Sequence, residues 1–403
     1  MGREKRMWEE SQEKRWGAPD KYVCTNCVEN VFLKKEIAEK LANRRCSYCG
    51  KSSRKNIAAP VAVIMEHIGA TFFDYFENPD EAGVPYDGGD YAIDLNITAE
   101  DALNHLGLEC NDALFSDVAR SIGNDTLWVE AAGGVWLGEH QNEFLVNGWR
   151  KFVRVVKNES RFFFSNIPSV KKSFTEHNPS ELLSEIGRIA SELDLFKSYP
   201  LGTVWFRSRE RKSGAVWPLD AAQMGPPPND KAQAGRMNPA GISYFYLATE
   251  RETALAELMN KPPCVIVVGC FSLCRDLRLL DLINFPPLPS VFDRKRRNEL
   301  ELLLFLLEFT RQISQPVEKN GQREHIDYVP TQVVCEYFAK VFRTKDGYSL
   351  DGLAYPSAVR PGGTNIVLFP PLQRGKELRE LVKLQETSLL TFNHWMDFYD
   401  AIR

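Results

Sequence analysis

The 403-residue sequence lacks the features of an exported or membrane-spanning protein. Its first residues are densely charged and contain no apolar segment of the kind that a secretory signal requires. No apolar run elsewhere reaches the length of a transmembrane helix, and internal repeats and low-complexity segments are absent as well. We therefore expect a cytoplasmic globular protein with no membrane partner.

The chain also carries little net charge. Its 50 Lys and Arg oppose 54 Asp and Glu, which leaves −4, and this balance argues against a nucleic-acid coat or a membrane-surface protein. Residues 1–55 differ, since 14 Lys and Arg there stand against 8 Asp and Glu. A nucleic-acid or partner-binding module in residues 1–55 is therefore one hypothesis, but we favour a segment that only stabilises a small subdomain.

Nine cysteines are present, and in a chain without a secretion signal they do not indicate a disulfide framework. Four of them form two C-x2-C pairs separated by eighteen residues: Cys24, Cys27, Cys46 and Cys49. Each pair presents two thiolates on one tight turn, and two such turns complete a tetrahedral sulfur shell around Zn²⁺. Because the protein then fills all four positions, we predict a structural zinc site and not a catalytic one.

Composition and periodicity divide the chain into four parts. We predict a zinc-knuckle segment at 1–56, a mostly helical domain at 57–198, a third domain at 199–372 and a helical tail at 373–403. In the second part, apolar residues recur at helical spacing from Val61 to Phe76, and Thr98 to Asp101 has the form of a capping box. From Thr203 onward, short β-type runs alternate with helices, which predicts an α+β architecture.

Two motifs in the third part carry residue types suited to chemistry. The first, Gly-Arg-Met-Asn-Pro-Ala-Gly at 235–241, contains Arg236 and Asn238 and is followed by Tyr246 and Glu257. The second, Asp-Gly-Leu-Ala-Tyr-Pro-Ser at 351–357, ends in Ser357 and is followed by a segment that contains Asn365. Arg207 precedes both motifs, directly after the strand-like Val-Trp-Phe at 204–206.

This ordered set of Arg, Glu and Ser resembles the RES family, which is named for those three residue types. The resemblance implies an NAD⁺-consuming enzyme that looks like ADP-ribosyltransferases and has a small, mainly antiparallel split sheet. It implies catalytic roles for Arg207, Glu257 and Ser357. It also implies that NAD⁺ is contacted by Arg207, Arg236, Asn238, Tyr246, Ser357 and Asn365.

The cleavage of NAD⁺ explains why these residue types would occur together. Breaking the nicotinamide–ribose bond gives an oxocarbenium-like transition state and a neutral leaving group, so no general acid is needed. The guanidinium groups of Arg207 and Arg236 suit the pyrophosphate. The carboxylate of Glu257 suits the developing positive charge, Tyr246 offers an aromatic surface for nicotinamide, and Ser357 would donate to phosphate or ribose.

Neighbouring residues compete for some of these roles. Arg209 is an alternative to Arg207, because both lie in one Arg-Ser-Arg run, and Tyr244 is an alternative to Tyr246. Three residues are second-rank candidates for the site: Asp281, His325 and Tyr328.

The region before the RES-like part resembles the HEPN-type domain that is fused to some RES proteins. The resemblance rests on the order of zinc knuckles, helical stretch and RES, and on the Arg-Phe-Phe-Phe patch at 161–164. HEPN ribonucleases use an Arg-x4–6-His pair, and none of the six His residues has an Arg at that distance before it. We therefore do not expect ribonuclease activity. Many RES toxins pair with a separate antitoxin, whereas the fusion here suggests control in cis.

The function expected from the sequence is an NAD⁺ glycohydrolase or phosphorylase that acts as a growth-arresting toxin or defence effector. A protein ADP-ribosyltransferase is the alternative within the same fold. The alternative from another class is a zinc-dependent nucleic-acid or partner-binding protein with an inactive RES scaffold. A separate antitoxin or regulatory protein, and a homo-oligomer, stay open as partners.

Overall fold

The chain divides into two compact units. Unit 1 comprises Met1–Glu143 and Leu288–Leu302, and unit 2 comprises Phe144–Pro287 and Leu303–Arg403. The computed structural model describes residues 14–84, 86–87, 90–91, 97–123, 126–131, 141–163, 179–211, 219–258, 262–315, 324–371 and 377–402. Within these ranges, no helix combines the length and the apolar composition that a bilayer span requires.

Unit 1 is mostly helical, with short two-stranded sheets. Its helices include α1 (Val31–Glu39), α2 (Ala62–Tyr75), α3 (Ala99–His105) and α4 (Asp112–Ile122). Its strands form antiparallel pairs: β1 (Tyr22–Cys24) with β2 (Ala58–Pro60), β3 (Phe76–Glu77) with β6 (Val129–Glu130), and β4 (Tyr86–Asp87) with β5 (Asp90–Tyr91).

Local sequence signals explain where the helices of unit 1 begin and what they bury. Thr98 caps α3 through a complete capping box with Asp101, as predicted. The apolar stripe predicted from Val61 to Phe76 is buried along α2 and at both of its ends. Within this core, Phe72 packs edge-on against Trp128, with ring centroids 5.0 Å apart.

Unit 2 is built on an eight-stranded sheet. Its strands are β7 (Phe196–Tyr199), β8 (Val204–Arg211), β9 (Phe245–Ala248), β10 (Cys264–Leu273), β11 (Leu277–Asp281), β12 (Gly352–Pro356), β13 (Thr364–Leu368) and β14 (Val382–Phe392). They are ordered β14-β10-β8-β9-β13-β12-β11-β7, and β11 and β12 are the one parallel pair. The predicted α+β architecture and mainly antiparallel sheet are confirmed. A likeness to ADP-ribosyltransferases stays a prediction.

Eight α-helices follow those of unit 1 along the chain within the described ranges. They are α5 (Gln141–Asn158), α6 (Pro179–Glu192), α7 (Ala221–Met224), α8 (Arg251–Ala256), α9 (Arg297–Ser314), α10 (Glu324–Asp327), α11 (Val329–Glu336) and α12 (Trp395–Ile402). In unit 2, the indole of Trp149 on α5 donates a hydrogen bond to Oε1 of Gln312 on α9, at 2.7 Å. Pro330 lies in the first turn of α11, where a missing N–H costs no helical hydrogen bond.

β8 and β9 share fewer residue pairs than any other two neighbouring strands of this sheet. These strands meet at one residue pair, Phe206 with Ala248, although β8 pairs with β10 along its whole length and β9 with β13. If the register continued, Ser208 would lie opposite Tyr246, but that pair does not form. The sheet has eight strands, so it is larger than the small split sheet that the sequence predicts, and it opens between its third and fourth strands.

The C-terminal segment corrects another prediction. The sequence predicts a helical tail at 373–403, but β14 pairs with β10 and forms an edge of the sheet, and α12 follows it. A register shift opposite Cys270 and Phe271 interrupts the alternation of apolar and polar residues that would have marked β14 as a strand. At the other edge, β7 joins the sheet through β11 and begins before the boundary predicted at 199.

The docking of α12 can be tested with one substitution. Phe398 is buried in a cluster that includes Ile266 and Phe392, whose ring centroid lies 5.2 Å away. We expect Phe398→Ala to destabilise unit 2 by about 3–5 kcal/mol, because it removes a buried aromatic ring and leaves a cavity. Urea denaturation followed by tryptophan fluorescence measures the change. Met396→Ala, on the exposed side of α12, is the control and should change the stability by less than about 0.5 kcal/mol.

Candidate active site

The opening between β8 and β9 forms a cavity of about 200 Å³. Residues from both strands line it, together with residues at the end of α8 and in β12 and β13. The polar and aromatic lining includes Arg207, Ser208, Tyr246, Glu257, Tyr355 and Asn365. Four of these, all except Ser208 and Tyr355, are residues that the sequence predicts for the site.

Glu257 follows α8 directly, one position beyond the end of the helix in which the sequence places it. Its Oε1 accepts hydrogen bonds from Oγ of Ser357, at 2.7 Å, and from Nδ2 of Asn365, at 2.6 Å. Ser357 follows β12 and Asn365 lies in β13, so three distant segments meet at one carboxylate oxygen. Two donors on Oε1 fix the orientation of the carboxylate, and Oε2 has no partner within the described residues.

Ser357 lies in a turn that orients its hydroxyl. Its Oγ accepts hydrogen bonds from the backbone N–H groups of Val359 and Arg360, at 3.3 and 3.1 Å. Because the oxygen of this hydroxyl accepts those two bonds, its proton is free to be donated to Glu257. The turn is attached to α8, because Nη1 of Arg360 donates to Oγ1 of Thr253 at 3.2 Å. Gly363 closes it, and a Cβ there would come within 2.5 Å of that same Oγ1.

Arg207 supplies positive charge to the cavity. Its guanidinium carbon lies 5.0 Å from the ring centroid of Phe245, a cation–π contact. Its Nη1 is shielded from solvent and has no hydrogen-bond partner among the described residues. Burial, and then the charge of Arg209, lower the pKa of Arg207 to about 10. The group therefore stays cationic at pH 7, and a shielded cation of this kind favours an anionic ligand.

Arg236 is not among the described residues that line the cavity with Arg207. Its Nη1 donates to the carbonyl oxygen of Ile313, at 3.0 Å, and to that of Gln315, at the end of α9. Free carbonyl groups and the helix dipole favour a cation at this position. The structure therefore does not bring Arg207 and Arg236 together in one cleft, and Arg236 anchors the loop 233–242.

Asn238 and Tyr246 hold the same loop together. Nδ2 of Asn238 donates to the carbonyl oxygens of Gln233 and Ile242, both at 2.9 Å, and its Oδ1 accepts from Oη of Tyr246 at 2.7 Å. The phenol oxygen of Tyr246 also accepts from the backbone N–H of Met237 at 3.0 Å. Asn238 is thus buried and used within the loop, whereas the ring of Tyr246 forms part of the cavity wall.

Two family models match the chain. Residues 204–387 match the RES domain, and residues 39–170 match HEPN/RES N-terminal domain 1. The chain carries a RES domain. The resemblance to RES proteins with a HEPN-type N-terminal domain is thereby confirmed, and RES domains are associated with NAD⁺-related toxin function. No curated protein matches the chain.

The match to the RES domain begins at Val204, the first residue of β8, and ends inside β14. It therefore contains every described residue of the cavity wall. Arg207, Glu257 and Ser357 lie within it, and so do residues 382–387 of the edge strand β14, which the sequence predicts as part of a helical tail.

The alternative residues of the RES domain have other contacts. Arg209 donates to the main-chain carbonyl of Gln223, and Tyr244 is buried outside the cavity wall. Asp281 accepts from two backbone N–H groups in the turn after β11, at 2.8 and 3.0 Å. The ring centroid of Tyr328 lies 5.6 Å from the guanidinium carbon of Arg236, a cation–π contact. The side chain of His325 lies outside the described residues.

Sequence reasoning missed two residues that bring a hydroxyl group to the cavity lining. Tyr355 is buried in β12, and burial raises its pKa well above the usual range, so its phenol is neutral at physiological pH. Ser208 follows Arg207 in β8, and its Oγ is shielded and without a partner among the described residues. Adjacency was the signal that could have found them, because each lies within two residues of a predicted site residue.

The four predicted metal ligands lie together in unit 1. The sulfur atoms of Cys24, Cys27, Cys46 and Cys49 are all within 4.8 Å of one another, and three pairs are separated by 3.5–3.7 Å. Tetrahedral coordination with metal–sulfur bonds of about 2.3 Å requires sulfur separations of about 3.8 Å. The cluster therefore fits a tetrahedral metal ion. The match to HEPN/RES N-terminal domain 1 begins at residue 39 and includes the second pair only.

The surroundings of this cluster also suit a metal. Burial raises the pKa of Cys46, but hydrogen bonds from the backbone N–H groups of Cys49 and Tyr48 outweigh it and lower the pKa to about 7. At Cys46 this favours the thiolate that a metal ion binds, whereas burial raises the pKa of the Cys24 and Cys27 thiols. Asp117 on α4 accepts hydrogen bonds from Lys21 at 2.6 Å and from the Tyr48 hydroxyl at 3.0 Å, which attaches the second knuckle to the helical core.

The loop 233–242 requires a glycine at 235. A Cβ on Gly235 would lie 2.7 Å from Oδ1 of Asn238 and 2.8 Å from Oη of Tyr246, closer than packed atoms approach. We therefore expect Gly235→Ala to lower the stability of unit 2 by about 1–3 kcal/mol, measured by urea denaturation. Ala234→Ser, at the exposed neighbouring position, should change it by less than about 0.5 kcal/mol. Equal midpoints for the two variants would contradict the close approach.

Proposed function

We propose that the RES domain of this chain cleaves the nicotinamide–ribose bond of NAD⁺, with water or phosphate as the acceptor. The observation that supports this most directly is that Arg207, Tyr246 and Glu257 line one cavity, with Ser357 and Asn365 bonded to Glu257. A cation, an aromatic ring and an oriented carboxylate are what this substrate requires.

The chemistry follows from the two charges of the cavity. The glycosidic C–N bond breaks with its electron pair moving to the pyridine nitrogen, so neutral nicotinamide leaves and a ribosyl cation develops. Oε2 of Glu257 stabilises that cation, and the carboxylate needs little reorganisation because Ser357 and Asn365 hold Oε1. Attack by water on the ribosyl carbon then gives ADP-ribose and releases one proton, whereas attack by phosphate gives the phosphorylated product.

The volume of the cavity limits how much of the substrate it can hold. At about 200 Å³, it is smaller than the roughly 300–1,000 Å³ of pockets that bury a whole drug-sized ligand. We therefore propose that the cavity holds only the reacting nicotinamide–ribose end, beside Glu257, with Arg207 on the neighbouring phosphate. The adenosine half lies outside the enclosed volume.

Glu257 gives the decisive test of this proposal. We expect Glu257→Gln to lower kcat for NAD⁺ cleavage by about 10²–10⁴-fold, because the neutral amide cannot stabilise the ribosyl cation. Glu252→Gln, on the same helix and outside the cavity wall, is the matched control and should retain activity. Mass spectrometry of products from purified protein and NAD⁺ supplies the measurement. Full activity of Glu257→Gln would refute the assignment.

The acceptor and the biological effect need separate experiments. With NAD⁺ labelled in the adenosine half, label in free ADP-ribose or its phosphorylated form supports the proposal, and label attached covalently to protein indicates an ADP-ribosyltransferase. Expression of the wild-type chain in cells should deplete NAD⁺ and arrest growth. Expression of Glu257→Gln to the same level is the control.

We also propose that the four clustered cysteines bind one structural Zn²⁺ ion, since four thiolates at tetrahedral spacing match its preferred ligands. Purified protein should contain about one zinc per chain by elemental analysis. Cys27→Ser should lose the metal and destabilise unit 1, because metal binding and folding are coupled at such sites. Cys274→Ser, an exposed cysteine of unit 2, is the control. Full zinc content in Cys27→Ser would contradict the proposal.

A further inference from the structure

The helix α12 lies beyond the part of the chain that matches the RES domain, because that match ends inside β14. It nevertheless packs close to the candidate site. Phe398 on α12 shares an apolar cluster with Leu255, which lies two positions before Glu257. Phe206 and Leu258 pack against the same cluster and also line the cavity. An element outside the matched domain therefore contributes to the packing of the residues that line the cavity.

Arg360 makes a second connection between α12 and the site. Its Nε donates to the carbonyl oxygen of Ile402, the last residue of α12, at 3.3 Å. Its Nη1 donates to Oγ1 of Thr253 on α8 at 3.2 Å and lies 3.8 Å from Oε2 of Glu250. The last carbonyl groups of a helix have no partner within the helix and favour a cation. One guanidinium thus joins α12 and α8 to the turn that contains Arg360.

The acceptors of Arg360 on and before α8 are themselves held in place. Thr253 is fully buried, and its Oγ1 donates to Oε2 of Glu250 at 2.6 Å. Oε1 of Glu250 accepts from Oγ1 of Thr249 at 2.7 Å. Burial acts to raise the pKa of Glu250, but these two hydrogen bonds help to outweigh it, and the pKa is lowered. The carboxylate is therefore charged at pH 7 and attracts the guanidinium, whose side chain is only a quarter exposed.

The backbone of Arg360 completes the connection to the reacting carboxylate. Its N–H donates to Oγ of Ser357 at 3.1 Å, and that hydroxyl donates to Oε1 of Glu257 at 2.7 Å. Glu257 directly follows α8, which packs against α12 through Leu255. Both partners of the Ser357–Glu257 hydrogen bond are therefore connected to α12, the carboxylate by apolar packing and the hydroxyl through Arg360.

Resting on the proposed function, we propose that Arg360 is a positioning residue for NAD⁺ cleavage and that it makes α12 part of the active site. Arg360 is not among the residues that line the cavity, so it acts through Ser357 and not on the substrate. While its guanidinium binds Ile402 and Thr253, the turn keeps Ser357 within hydrogen-bond distance of Glu257. Without these contacts the turn shifts, and the carboxylate loses one of the two donors that orient it.

Replacement of Arg360 by methionine removes the guanidinium and keeps an unbranched stem. We expect Arg360→Met to lower kcat for NAD⁺ cleavage by about 10–100-fold, because misplacement by about 1 Å has effects of this size. The KM should stay within about threefold, because the lost contacts are not with substrate. Steady-state kinetics at a temperature where the variant is fully folded provides the measurement.

Arg251 offers a matched control on the same helix. Its Nη2 donates to Oγ of Ser388 on β14, at 3.1 Å, so Arg251→Met also detaches a guanidinium that connects α8 to a neighbouring element. Both Arg251→Met and Arg360→Met should lower the melting temperature by about 2–4 °C. Only Arg360→Met should lose kcat, and Arg251→Met should keep it within about twofold of wild type.

The role of α12 is tested from its buried side. At a temperature where the variant is folded, Phe398→Ala should lower kcat about tenfold, whereas Met396→Ala, on the exposed side of α12, should retain it. In the double variant with Arg360→Met, the loss of kcat should be smaller than the product of the two separate losses. Residues that act through one connection are not additive, whereas independent effects multiply.

Hydrogen exchange measures the positioning without any assay of activity. The backbone N–H groups of Val359 and Arg360 donate to Oγ of Ser357, so their exchange reports whether the turn is held. In Phe398→Ala, exchange in residues 357–363 should become about tenfold faster, which corresponds to the loss of about one hydrogen bond. Exchange in β11 should not change, and Arg251→Met should leave the turn as protected as in the wild-type protein.

Four results would overturn this inference. Wild-type kcat in Arg360→Met, with activity lost in Glu257→Gln, would reject the role of Arg360 and keep the proposed function. A higher KM with unchanged kcat would place Arg360 in substrate binding. Losses that multiply in the double variant, with unchanged exchange in the turn, would reduce α12 to a stabilising element. A wild-type protein that does not cleave NAD⁺ would overturn the proposed function and this role with it.

Discussion

Backbone pairing between β8 and β9 stops after Phe206 and Ala248, and the candidate site depends on that interruption. Each strand is hydrogen-bonded on its other side, β8 to β10 and β9 to β13. The two outer ladders hold β8 and β9 in place, so the gap between them is fixed by the sheet itself. Side chains from facing strands, which in a closed sheet would pack against each other, therefore form two walls of a cavity.

The carboxylate of Glu257 converts this gap into an asymmetric site. Its position depends on Ser357 and Asn365, which are 100 and 108 residues away in sequence. Arg207 on β8 contributes a cation to the lining of the same cavity. A substrate that carries both a cationic ring and anionic phosphates has a preferred direction in such a cavity.

Most of what could be predicted from the sequence came from patterns of residues that lie close together in the chain. The paired cysteines, the capping box at Thr98 and the motifs around Glu257 and Ser357 are local signals with a physical cause. The role of Arg236 was not accessible in this way, because its partners are carbonyl groups at the end of α9, 77 and 79 residues later. The bulge opposite Cys270 hid β14, and Ser208 is distinguished only by the bonds that its hydroxyl does not make.

Within the described residues the guanidinium of Arg207 contacts the ring of Phe245 but pairs with no carboxylate, and this has a thermodynamic consequence. Whatever neutralises that guanidinium lowers the free energy of the native state relative to the unfolded chain, in proportion to the logarithm of its concentration above Kd. Ligand occupancy of the cavity and stability against unfolding are then linked through one binding equilibrium. An enzyme that exhausts its own dinucleotide supply would lose that protection as it works.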